Sequence, residues 1–88
     1  MNQAVSVSPD VTFQVFIVRS GSSNTWQPEA NKLRVCSIAS GKVRVKMDEK
    51  EFVIGPNGMF KVRSSSACTV ENRLYVDSVI HVSTFAEG

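Results

Sequence analysis

A Gly55-Pro56-Asn57-Gly58 tetrad sits between two short apolar runs, and turn residues recur every few positions on both sides of it. Pro56 fixes one φ and the flanking glycines permit positive φ, so the chain reverses sharply there. Residues 42–47 alternate cleanly upstream, with Val43, Val45 and Met47 on one face and Lys42, Arg44 and Lys46 on the other. Residues 11–19, 33–38, 51–54, 59–63, 67–71 and 75–85 read as further strands, whereas 20–31 has the composition of a loop. No window of eleven or more residues carries a helical period. The expectation is an all-β sandwich or barrel of about eight short strands.

At 88 residues the chain can hold one domain with one modest core. Residues 1–10 read as a flexible lead-in and 11–88 as the barrel. A domain of this size is marginal alone, and a second copy of the chain is one source of further stability. No basic segment followed by an apolar one marks a secretory signal, and no apolar run approaches the roughly 20 residues that span a bilayer. Cys36 and Cys68 have no paired spacing and read as buried, reduced thiols, which favours a cytosolic or nuclear compartment. A net charge of +2 does not by itself imply a nucleic-acid partner. Lys42, Arg44 and Lys46 read as a solvated, edge-protecting face in preference to a phosphate-contacting stripe. Neither direct nucleic-acid binding nor a membrane role is expected.

Catalytic constellations are thin. His81 and Ser83 share a strand face with Asp77, but four residues at about 3.3 Å each put His81 roughly 13 Å from Asp77, too far for a hydrolase triad. Glu49, Glu51 and Glu71 form no evident acid/base pair, and Gly55 and Gly58 precede neither the lysine nor the helix of a phosphate loop. Trp26, alone in a polar loop, reads as a plug at one end of the core, with an exposed partner-binding tryptophan as the alternative.

Gly41, the Gly-Pro-Asn-Gly turn with Met59-Phe60 after it, and Asn72 at the end of "TVEN" together resemble the motifs of the cupin family of β-barrels. The resemblance implies a small cupin barrel. In enzymatic cupins it also implies a site of three histidines and one glutamate. Here the glutamate position falls at or near Arg34, the paired-histidine region in 26–31 and the last histidine at Cys68. Such a set cannot supply the nitrogen and carboxylate donors that iron, manganese or nickel require. The expectation is therefore no metal, no cofactor and no enzymatic activity, with Cys68 as an apolar filler.

Within the cupins, "GMFKV", "CTVEN" and "RLYVDSVIHVS" resemble the C-terminal domain of the centromere protein C family, through Cys68, Val70, Asn72, Asp77, Val79 and His81. That resemblance implies a homodimerisation module of an inner-kinetochore scaffold. The setting would be the nucleus, at the centromere, with other kinetochore or histone-deposition proteins as further partners. The surplus apolar faces of the first and last strands place the dimer interface at Phe13, Val15, Ile17, Val79 and His81, with Phe85 beside them. An inner pocket near Trp26, Cys68 and Tyr75 is expected to accept a peptide or small ligand. The alternative reading is a metal-independent cupin that binds a sugar or metabolite, or a degenerate enzyme.

Overall fold

The computed structural model describes residues 10–87 together with the backbone of residues 3–8. Nine strands are formed among these residues: β1 (Gln3–Ser8), β2 (Val11–Val18), β3 (Ser23–Trp26), β4 (Lys32–Ser40), β5 (Val43–Met47), β6 (Lys50–Ile54), β7 (Met59–Val62), β8 (Cys68–Glu71) and β9 (Ser78–Ala86). They make two antiparallel sheets, one ordered β1-β2-β9-β4-β7 and the other β3-β8-β5-β6. The all-β expectation holds, with three differences in detail. Residues 3–8, expected as lead-in, pair along β2. The polar segment Ser23–Trp26, expected as loop, pairs with β8. The last strand begins at Ser78, three residues later than its composition indicated.

Alternation explains the layering. On β2 the side chains of Phe16 and Val18 face the other sheet, as do Ile80 and Val82 on β9 and Cys36 and Ile38 on β4. From the four-stranded sheet they meet Val43 and Val45 of β5 and Cys68 and Val70 of β8, all essentially inaccessible to solvent. This interior conforms to the inward face read from residues 42–47. Phe60 packs edge-on against Phe52 across the sandwich, ring centres 6.0 Å apart, a geometry that aligns the positive edge of one ring with the face of the other.

The turns follow their residues. β5 and β6 are joined through Asp48 and Glu49, both with positive φ, the mirror-image turn whose twist matches the strands it links. In the Gly-Pro-Asn-Gly tetrad the positive φ falls on Asn57, at 70°, and not on either glycine. Pro56 then Asn57 is the residue order of a type II turn, and the turn is fastened to β4 by Asn57 N–H to the Ile38 carbonyl and Ile38 N–H to the Gly58 carbonyl, both 3.0 Å.

Asn72 fixes the long β8–β9 connection. Its buried side chain donates to the carbonyls of Val18 at 2.9 Å and Val76 at 2.8 Å, and accepts from Leu74 N–H at 2.8 Å. One amide thereby satisfies three backbone groups that strand pairing leaves over. Replacing Asn72 with Ala is expected to cost about 2–4 kcal/mol, since it strands these groups beside a new cavity. Asn72→Asp keeps an acceptor for Leu74 but sets a carboxylate against two carbonyls, so it should be no milder. Urea unfolding followed by circular dichroism measures both.

Candidate functional site

The outward face of the five-stranded sheet is apolar where an unpartnered sheet face is usually polar. With Phe16, Val18, Ile80 and Val82 turned inward, period 2 turns Phe13, Val15 and Ile17 of β2 and Val79, His81 and Phe85 of β9 outward. Pairing brings them into contiguous rows: Ile17 lies opposite Val79, Val15 opposite His81, and Val11 opposite Phe85. Phe13 meets the His81 ring edge-on, 5.4 Å between centres. All six residues proposed from sequence as interface therefore share one surface. β4 extends it, Leu33 pairing with Phe85 and Val35 with Ser83, and Met59 on β7 stands opposite Ser37 at the margin. Leu33 and Val35 were missed, although the alternation of 33–38 already placed them together.

The outward face of the other sheet is different in kind. Arg44 pairs with Glu51 at 2.8 Å, and Glu71 takes Lys46 at 3.6 Å and Arg73 at 3.3 Å. Thr25 and Thr69 hydroxyls meet across β3 and β8 at 3.1 Å. Two of the three alternating basic residues are thus engaged by carboxylates, as a solvated face requires.

Between the sheets, at the end formed by β2, β3, β4 and β9, a cavity of about 240 Å³ opens among Phe16, Trp26, Arg34, Val82, Thr84 and Gln14. Trp26 is half-buried against Phe16, ring centres 5.0 Å apart, as the plug reading expected. Arg34 lies 5.8 Å over the indole, close enough for a cation–π attraction. Its Nη2 donates to the Gln27 carbonyl at 3.0 Å, and its Nη1 lies 3.8 Å from Glu29. The pocket expected at Trp26, Cys68 and Tyr75 needs correction. Cys68 is fully buried in the core, and Tyr75 is fully exposed, because Asn72 bends the β8–β9 connection outward before β9 begins. Asp77, outside β9, accepts from the Ser20 backbone N–H at 2.9 Å, which suits a loop anchor.

The positions to which the cupin resemblance assigns metal ligands, at or near Arg34, in 26–31 and at Cys68, carry no donor set that fits a metal. A buried guanidinium occupies one, and no group of three or more His, Cys, Asp or Glu side chains able to hold an ion occurs among the described residues. His81 faces the opposite side of the sheet. The two cysteines are free thiols buried in the core. Burial pushes Cys36 up to about 12, with Cys68 adding to the rise and Arg34 opposing it, and pushes Cys68 up to about 11, with Arg34 again opposing and Asp48 adding. Both therefore stay protonated near neutrality.

Comparison of the sequence with protein-family models and with curated proteins gave no match. Solved structures did match. The Schizosaccharomyces pombe Cnp3 cupin domain superposes with a TM-score of 0.88 at 15% identity, over 98% of this chain and 64% of that one. The chain therefore spans less than two thirds of the Cnp3 structure. The cupin domain of an XRE-family transcriptional regulator from Enterobacter cloacae gives a TM-score of 0.87 at 14% identity, over 100% of this chain and 97% of that one. A predicted oxalate decarboxylase from Thermotoga maritima gives 0.75 at 17%, over 84% and 64%. The chain has the cupin fold. These cupins include enzymes and regulators, so the fold leaves the activity open.

The cysteine environment has a measurable consequence. Both folded-state values lie above the ordinary 9.0 of a free thiol. The unfolded chain thus releases thiol protons first as pH rises, and the thiol contribution to stability is intact below pH 9 and is lost between pH 9 and about 12. Wild type should lose urea stability over that window faster than a Cys36→Ala, Cys68→Ala double variant, and native thiols should resist iodoacetamide at pH 8 until the protein is unfolded.

Proposed function

We propose that this chain is a homodimerisation module of an inner-kinetochore scaffold, a barrel that pairs its parent protein and carries out no reaction itself. The observation that carries the reading is the contrast between the two outer faces. One carries the Arg44–Glu51 and Lys46–Glu71 ion pairs beside an exposed Val53, and the other presents Phe13, Val15, Ile17 and Val79, half-buried, with exposed His81 and Phe85 in contiguous rows. A contiguous, partly exposed apolar face of this kind supports the reading of an interaction site. A self-complementary two-fold interface is the commonest way for a small domain to cover it.

The cellular setting rests on the resemblance of "CTVEN" and "RLYVDSVIHVS" to the centromere protein C family. The likeness in fold to the Cnp3 cupin domain is consistent with it. In that setting, pairing joins two nucleosome-binding parents, and linked sites gain about 10²–10⁴-fold in avidity where geometry allows. Other kinetochore or histone-deposition proteins are then the expected further partners, at the nuclear centromere.

Light scattering of the 88-residue chain at micromolar concentration should give twice its 9.7 kDa mass. Val79→Asp should yield a monomer with unchanged β-sheet circular dichroism. A central interface residue is worth about 2 kcal/mol or more, and two-fold symmetry enters each substitution twice. A strict monomer in the wild type overturns the proposal.

A further inference from the structure

The connection between β8 and β9 spends hydrogen bonds on holding apolar side chains in water. Asn72 accepts from Leu74 N–H and donates to the Val76 carbonyl, both at 2.8 Å. From the β2–β3 loop, Ser20 Oγ donates to the Leu74 carbonyl at 2.7 Å and Ser20 N–H donates to Asp77 at 2.9 Å. The segment is thus fixed from two sides. Yet Tyr75 is wholly exposed, Val76 is 63% exposed and Leu74 is only partly buried. Consecutive apolar residues facing solvent serve no packing purpose. A rigidly held, exposed aromatic has little freedom left to lose on association, which is what a binding surface exploits.

This surface continues onto the outward face of the four-stranded sheet. Leu74 shares a shallow hollow of about 90 Å³ with Val53 of β6, itself 51% exposed. The hollow is smaller than the roughly 150 Å³ cavity that accepts a benzene ring, so it suits one aliphatic side chain. Its walls are cationic: Lys42, Arg44 and Arg73 line it against one carboxylate, Glu71. Glu71 is shared between Arg73 at 3.3 Å and Lys46 at 3.6 Å, and Glu51 takes Arg44 at 2.8 Å. Lys42, Arg44, Lys46 and Arg73 therefore outnumber Glu51 and Glu71, and Lys42 is exposed and in no ion pair among the described residues. Asp77, the remaining acid of the connection, is held by Ser20 N–H. An apolar seat bordered by surplus cations favours an aliphatic side chain flanked by carboxylates and repels one flanked by lysines.

We infer that the β8–β9 connection and the adjoining ends of β5 and β6 form a docking site for a short acidic segment of another protein. One aliphatic side chain of that segment sits between Leu74 and Val53, its neighbouring carboxylates meet Lys42 and Arg73, and Tyr75 and Val76 extend the contact. The site lies off the outward face of the five-stranded sheet, so particle mass tests dimerisation separately.

Amide NMR shifts of the isotope-labelled chain, titrated with end-capped peptides Asp-Glu-Leu-Glu-Asp, Asp-Glu-Ser-Glu-Asp and Lys-Lys-Leu-Lys-Lys, test this. The first should bind saturably, with shifts confined to residues 42–44, 53 and 71–76. The serine and lysine peptides should each bind at least about tenfold more weakly. Raising salt from about 0.05 to 0.3 M should weaken the first severalfold, as screening of exposed charges requires. Leu74→Ser and Lys42→Glu should each weaken it by about fivefold or more. No saturable shift with the first peptide, equal binding of the lysine peptide, or shifts centred on the five-stranded sheet would each overturn the site. Should Leu74→Ser fail to fold, Lys42→Glu and Tyr75→Ser, both at exposed positions, decide.

Discussion

β9 has a neighbour on each side, β2 and β4, and every residue from Ser78 to Phe85 must face either the core or the outside. The rest of the architecture follows from that strand. Its inward residues, Ile80 and Val82, supply the middle of the core, while its first residue ties the two sheets together. The Ser78 hydroxyl donates to the Lys42 carbonyl and accepts from the Lys42 N–H, both at 3.0 Å, fastening β9 to the start of β5. That contact needs the backbone of Gly41 almost against Ser78: a Cβ there would lie 2.9 Å from the Ser78 Cα, and the φ of 80° is one that side chains resist. Val79, His81 and Phe85 are left outside as apolar or aromatic surface, matched by β2.

Where burial dictated residue type, the sequence could be read. β5 showed its inward valines and outward cations because one of its faces is packed and the other wet. β2 and β9 showed apolar residues on both faces, and that excess located the outer surface. β3 was hidden for the converse reason. It pairs with β8 alone, at the sheet edge, and Ser23, Asn24 and Thr25 need no apolar character there, so backbone pairing forms a strand from a loop-like composition. β1 likewise pairs only with β2. Tyr75 misled because it continues the apolar run into β9. Asn72 reaches the Val76 carbonyl four residues on and the Val18 carbonyl across the barrel, and the second of these is a long-range constraint absent from local pattern.

Arg34 was legible from the sequence as an anomaly. Its position in the alternation with Cys36 and Ile38 already placed a guanidinium in the interior, an expensive arrangement unless its hydrogens are used. What the sequence lacked was the neighbour. Trp26 reaches the cavity only because β3 exists and sets Trp26 opposite Cys68 at the sheet edge. The same pairing leaves Cys68 fully buried in the core.

The two surfaces share strands without sharing side chains. β2 sends Gln14 and Phe16 to the cavity and Phe13, Val15 and Ile17 outward, while β9 sends Val82 and Thr84 inward and His81 and Phe85 outward. Period 2 lets one ribbon serve an inner pocket and an outer face at once. Interleaving also makes the two roles separable, since neighbours in sequence point to opposite sides and a substitution at one position leaves the adjacent side chain in place. In this chain the inward positions include Arg34 and Cys68, and the outward row of β2 is apolar from Val11 to Ile17.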